Sequence, residues 1–180
     1  MNKKQRKYVL DTSAILSGKL INLGEMEIFT TPKVSDELSP GGRDYQNFQY
    51  LKEKGLNILS PDKKMIEEVK IISYKTGDQN RLSKTDIEIL ALALELEKKD
   101  NYDIIILTDD YSIQNVANAL NLKFKSINQS GITKRFKWDY RCPGCGKIYK
   151  DSIRICPICG TETKSFISNK KEIKNHSDKE

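Results

Sequence analysis

Short apolar runs alternate with helix-period stretches along the first 130 residues. Tyr8-Val9-Leu10 reads as a buried strand that stops at Asp11-Thr12-Ser13, and a helix is expected from Ala14 to Leu20. Met26 to Phe29 is a second short strand. A turn at Thr31-Pro32 leads into a helix beginning at Val34 to Leu38, which Pro40-Gly41-Gly42 breaks. Tyr45 to Lys54 is helical and Gly55 ends it; Leu56 to Leu59 is a strand stopped by Pro61. Met65, Ile66, Val69 and Ile72 recur at amphipathic-helix spacing. After a polar loop over 77–81, Ser83 opens a helix from Lys84 to Lys99. Its centre, Ile89-Leu90-Ala91-Leu92-Ala93-Leu94, is apolar all round and belongs deep in a core. Asp103 to Thr108 reads as a central strand covered on both faces. Ile113, Val116, Ala117 and Leu120 mark another helix, and Phe124 to Ile127 a last strand.

Alternation of strand and helix predicts an α/β fold, a mostly parallel sheet flanked by helices. From Ser130 the periodicity stops. The expected organisation is a main domain over 1–129, a basic aromatic linker over 130–140, a four-cysteine module over 141–165 and a polar tail over 166–180.

Charge follows that division. Residues 1–130 hold 19 Lys/Arg and 19 Asp/Glu, whereas residues 131–180 hold 12 and 6, so the whole excess of +6 lies in the C-terminal part. A basic module beside a neutral domain points to an anionic partner, nucleic acid first, although residues 168–180 read more simply as a solubilising tail. No apolar run approaches the roughly 18 residues of a membrane span. The basic start leads into one short strand rather than a signal peptide, so a cytoplasmic protein is expected.

All four cysteines lie in the module, as Cys142-Pro-Gly-Cys145 and Cys156-Pro-Ile-Cys159. A C-x-x-C turn aims two thiolates at one ion, and two such turns make a closed tetrahedral set for one structural zinc. Gly146 and Gly160 follow the second cysteine of each pair and permit a positive φ, letting backbone N–H groups turn towards sulfur. Disulfides suit small secreted chains, and redox motifs use a single C-x-x-C, so zinc is favoured over both. The preceding stretch alternates Lys134, Arg135, Lys137 and Arg141 with Phe136, Trp138 and Tyr140. As a strand it would present the aromatics on one face, to stack on bases while the cations meet phosphates, or to pack on the module or the main domain.

Five carboxylates sit where chemistry is built. Asp11, Asp109 and Asp110 follow strands, Glu37 is expected at the start of a helix, and Asp86 lies in the first turn of the long helix. Each has a structural role available: helix caps for the three aspartates after strands, a capping box for Ser83 and Asp86, a solvated surface position for Glu37. Together they converge on the carboxyl edge of a parallel sheet, where such folds place their sites. Crowded carboxylates repel one another, and Mg²⁺ or Mn²⁺ relieves this while activating water towards a phosphodiester. The only histidine, His176, is in the tail, no phosphate-binding glycine loop is present, and the main domain has no cysteine. Histidine-based RNA cleavage, nucleotide hydrolysis and thiol catalysis are therefore not indicated.

Val9-Leu10-Asp11-Thr12-Ser13-Ala14, Val34-Ser35-Asp36-Glu37-Leu38, Ser83-Lys84-Thr85-Asp86 and Leu107-Thr108-Asp109-Asp110-Tyr111-Ser112-Ile113-Gln114-Asn115-Val116 resemble, in order, the acidic motifs of PIN-domain ribonucleases. With the C-P-x-C-G module behind them, they resemble the Nob-type endonucleases of small-subunit ribosome maturation over about residues 7–165. The resemblance implies a divalent-metal-dependent endoribonuclease that trims the 3′ end of precursor small-subunit (16S) rRNA. Asp11, Glu37, Asp86 and Asp110 would be its metal carboxylates, and Asp109 a further ligand or a cap. Ser13 and Thr108 would hydrogen-bond carboxylates, and Lys134, Arg135, Lys137, Trp138 and Arg141 would hold RNA. The implied partners are precursor rRNA in the small ribosomal subunit and other assembly factors. A VapC-like toxin nuclease and a non-catalytic RNA-binding assembly factor are the alternatives. The cysteine module weighs against the first, and the complete acidic set against the second.

Overall fold

The computed structural model describes residues 6–18, 26–99, 102–127 and 134–172, the last segment without the side chains of 134–137 and 169–172. The elements are β1 (Arg6–Leu10), α1 (Thr12–Leu16), β2 (Glu27–Thr30), α2 (Pro32–Glu37), α3 (Arg43–Glu53), β3 (Asn57–Ile58) and α4 (Lys63–Thr76). There follow α5 (Lys84–Lys99), β4 (Asp103–Leu107), α6 (Tyr111–Ala119), β5 (Lys123–Lys125), β6 (Lys134–Arg141), β7 (Ile148–Tyr149) and β8 (Lys164–Glu172).

Every pairing in the first sheet is parallel, in the order β3-β2-β1-β4-β5. The order reverses at β1, which has β2 on one side and β4 on the other. Chains leaving β1 and β4 therefore diverge to opposite faces and open a crevice at their carboxyl ends. Val9, Leu10, Ile104 and Ile106 fill the sheet's interior, and the apolar run of α5 is buried from Ile89 to Leu94 as its all-round apolarity requires. Ser83 and Asp86 form the expected capping box: the Ser83 N–H donates to Asp86 Oδ2 at 2.6 Å and the Asp86 N–H to Ser83 Oγ at 3.1 Å.

Some local expectations shift. Helix α1 begins at Thr12 rather than Ala14 and ends at Leu16. The Ser17 hydroxyl turns back to Ala14 O at 2.7 Å, and Gly18, at φ +63°, leaves the helical path. The rest of the expected helix, 19–20, lies outside the described residues. Glu37, expected at a helix start, is the last residue of α2, because Leu38 is already extended.

The C-terminal part differs most. The stretch expected as a linker is, from Lys134 onward, the central strand of an antiparallel sheet in the order β7-β6-β8. The stretch expected as a patternless tail continues as β8 to Glu172. Backbone pairing holds this ribbon from Lys134↔Glu172 to Arg141↔Lys164, and backbone hydrogen bonds do not need apolar alternation. A register shift lies between Lys137 and Trp138.

Candidate active site and metal centre

Asp11 is the residue that leaves β1 and is almost wholly buried. Its Oδ2 accepts from Ser13 Oγ at 2.8 Å and from Thr108 Oγ1 at 2.9 Å. Thr108, fully buried at the end of β4, also accepts the Asp110 N–H at 3.0 Å, and its carbonyl accepts from Gln114 Nε2 at 2.9 Å. One threonine thus fixes two acidic residues at once. Asp110 is the N-cap of α6 and accepts from Ser112 N at 2.6 Å. Glu37 is tied to the same edge by the Thr12 hydroxyl, 2.6 Å away.

The neighbouring Asp109 is built differently. Its Oδ1 accepts from the Ser126 hydroxyl and from the Ile127 N–H at 2.9 Å, so its side chain staples the end of β5 to β4. Its own N–H donates to Ser13 Oγ at 3.1 Å. The geometry assigns Asp109 to the frame and leaves Asp110 with the group around Asp11.

The electrostatics join the remaining four. Burial first of all holds the Asp11 carboxyl above its ordinary range, against its hydroxyl donors, and Asp86 pushes it further up. Burial likewise raises Asp86, with Asp110 and Glu37 adding repulsion to what the Ser83 bonds relieve. Asp86 therefore feels all three partners. None of the four makes an ion pair with Lys or Arg among the described residues. At the same edge, the buried hydroxyl of Thr31 has no hydrogen-bond partner among the described residues. The Val9↔Phe29 register brings it level with Asp11. Oxygen donors only, mutual repulsion and an orphaned hydroxyl fit a hard divalent cation that retains water in its shell. Among the described residues the four carboxylates do not bring three ligand atoms within 4.8 Å of one another, so by themselves they do not enclose an ion.

The cysteines do form a closed set. The four sulfurs lie within 4.8 Å of one another, with Cys142 and Cys159 3.3 Å apart and Cys145 and Cys156 3.6 Å apart. Four sulfurs at about 2.3 Å from one ion would be about 3.8 Å apart on each edge, so the arrangement is sized for a tetrahedral metal. The two turns repeat one design. Gly146 and Gly160 have φ +76° and +72°, each donates its N–H at 2.9 Å to the carbonyl of the first cysteine in its turn, and the Cys145 N–H faces Cys142 Sγ at 3.4 Å as expected. The Tyr149 hydroxyl sits 3.0 Å from Cys156 Sγ and holds it in place.

Comparison with known proteins agrees with this geometry. The family described as "PIN domain of ribonuclease" matches residues 8–96. "Endoribonuclease Nob1" of Archaeoglobus fulgidus is 38% identical over 170 residues, 94% of this chain and 95% of the relative. The chain belongs to the Nob1-type PIN-domain ribonucleases. "Ribonuclease VapC1" of Thermoplasma acidophilum is 41% identical over 166 residues, 92% of this chain and 81% of the relative. A more distant relative, "20S-pre-rRNA D-site endonuclease nob1" of Schizosaccharomyces pombe, is 33% identical over 102 residues, 56% of this chain and 26% of its own length. As a Nob1-type protein the chain is an endoribonuclease.

In this PIN ribonuclease the residues expected to meet RNA lie on β6. Arg141 is exposed. The side chains of Lys134, Arg135 and Lys137 lie outside the described residues. Trp138, for which stacking on bases and packing on the main domain were both open, has the Arg81 guanidinium 3.6 Å from its ring centroid. Sequence reasoning missed Asp78, which is fully buried in what looks like a polar loop. Gln114 and Asn115, part of the last acidic motif but given no role there, are both buried on α6. The available signal was positional: two amides directly follow Ile113 in the apolar stripe of α6, where a polar group needs a buried partner.

Proposed function

We propose that this endoribonuclease cleaves precursor small-subunit rRNA at its 3′ end during ribosome assembly, in the cytoplasm. Asp11, Glu37, Asp86 and Asp110 would hold Mg²⁺ or Mn²⁺, and one zinc would be held by Cys142, Cys145, Cys156 and Cys159. The observation that carries the chemistry is the mutual repulsion of Asp86 with Asp11, Glu37 and Asp110, none of which has a Lys or Arg ion-pair partner among the described residues. A divalent ion bound there supplies a Lewis acid for the scissile phosphate and lowers the pKa of a water. Ser13 and Thr108 keep Asp11 aimed at the edge, and the capping bonds keep Asp86 and Asp110 from turning away. Asp109 acts through the frame. The basic residues of β6 would hold the phosphate backbone, with other assembly factors setting the moment of cleavage.

Support for the substrate comes from the relatives that carry Nob1 names, one of which names precursor rRNA itself. The VapC1-named relative favours a toxin-type reading. Its 166 aligned residues run through the positions of all four cysteines, since at most 14 of the 180 are left out, so the extent of the match does not separate the two names. Cleavage assays decide between the two. With Mn²⁺ or Mg²⁺ present, an RNA spanning the 3′ end of small-subunit rRNA should be cut at one position and in preference to a scrambled RNA of equal length. Equal cutting of both, with growth arrest on expression, would favour the toxin reading.

A further inference from the structure

Among the described residues the two sheets meet around the loop between α4 and α5, with Tyr74 of α4 also hydrogen-bonded to Asp151 beyond β7. Gly77 caps α4 at φ +81°, and a Cβ placed on it would lie 2.4 Å from the carbonyl oxygen of Trp138, so the two backbones touch. The buried Tyr140 donates its hydroxyl to Gly77 O at 2.9 Å. Asp78 accepts from Asn115 Nδ2 at 2.6 Å and from the Trp138 side chain, tying α6 and β6 to the same loop. Arg81 stacks on Trp138 and donates from Nη2 to Ser165 Oγ on β8 at 2.9 Å, so it spans both long strands of the basic sheet. Two residues later the same loop becomes the cap of α5, which carries Asp86. Asn115 lies on the helix that Asp110 caps. The junction is thus tied covalently or by hydrogen bonds to two of the four acidic residues.

We infer that Arg81 and Asp78 are positioning residues: they lock the basic β6–β8 sheet to the α/β domain at one angle, so that RNA held on that sheet presents one phosphodiester to the acidic edge. This rests on the ribonuclease reading above. Arg81 is exposed, so its loss is tolerable for folding, and its stack on Trp138 and hydrogen bond to Ser165 add the tie to β8 that the Gly77 and Asp78 contacts do not make. Without the lock the sheet swings and the reacting phosphate is placed loosely. A misplacement of about 1 Å can cost about a hundredfold in rate.

The test compares Arg81→Ala with the parent, both zinc-loaded. Trp138 is the only tryptophan, so acrylamide quenching of its emission reports the junction directly. ¹⁵N relaxation reports whether the two sheets tumble as one body. Arg81→Ala should make Trp138 more quenchable and let the sheets tumble separately. It should leave cleavage of a short oligonucleotide that reaches only the acidic edge within about twofold. On the long precursor it should lower cutting at the single site by up to about a hundredfold and spread cuts over neighbouring phosphodiesters. Ser165→Ala, which removes only the β8 contact, should move each readout in the same direction by less. Unchanged tumbling, or an unchanged single cut on the precursor, would overturn the inference. If the parent cuts neither RNA, the ribonuclease reading fails, and relaxation still decides whether Arg81 holds the sheets together.

Discussion

At the residue scale, the site is organised by hydroxyls. Ser13, Thr108 and Thr12 each hold an acidic residue or its neighbour, and none of them is charged. The result is a buried carboxylate, Asp11, that is fixed in place but not neutralised. Its folded pKa is raised, mainly by burial, so in the folded chain it keeps a proton at pH values where the unfolded chain has released it. Stability therefore falls as pH rises from the unfolded value through the raised one, and the folded protein carries the charge at a cost above that window. Asp86 contributes in the same direction. A bound cation relieves the cost and needs the ionised form. The rise in melting temperature on adding Mn²⁺ should thus be large at neutral pH and shrink at mildly acidic pH. Asp11→Asn keeps an acceptor for both hydroxyls and removes the charge, so without metal it should melt at or above the parent at neutral pH. A metal effect independent of pH, or a destabilised Asp11→Asn, would mean that Asp11 is not a strained metal ligand.

At the element scale, helix caps and strand ends do the placing. Asp86 and Asp110 are caps by geometry and candidate ligands by position, which is why their cap patterns in the sequence did not distinguish the two roles. The parallel sheet was legible because Val9-Leu10 and Ile104-Ile105-Ile106 can only be strands buried on both faces. The cysteine module was legible because its spacing leaves little else. Strand β8 was not, since its pairing with β6 is carried by backbone groups and leaves no apolar period. Nor was Asp78, whose burial depends on β6 arriving from more than fifty residues away. Gly77 is the point where these elements come closest. Gly77→Ala would meet both a positive φ and the Trp138 carbonyl, and should cost about 1–3 kcal/mol. A thermal melt checks this; a melting temperature equal to the parent's would show that the two backbones are not held together there.

At the scale of the whole molecule, a formally neutral acidic-edged domain is joined to a basic sheet that carries the four-cysteine cluster. A sheet this small cannot bury a core of its own, and the zinc proposed for the four cysteines would substitute for one. Removing zinc with a chelator should therefore loosen RNA binding while the acidic edge still binds Mn²⁺. Binding by the intact protein should also weaken steeply with salt, because phosphate contacts release counterions. Unchanged RNA affinity in the zinc-stripped protein would show that the basic sheet does not hold the substrate. The division of labour, chemistry at the α/β edge and grip on the β6–β8 sheet, rests finally on the carboxylates. Its most direct test is cleavage-site mapping on an RNA spanning the 3′ end of small-subunit rRNA, with the parent and with zinc-loaded Asp11→Asn, in Mn²⁺. The parent should make one cut that leaves a 3′-hydroxyl and a 5′-phosphate, and Asp11→Asn should bind the RNA equally well and make no cut. The same cut at the same rate by Asp11→Asn would contradict the account.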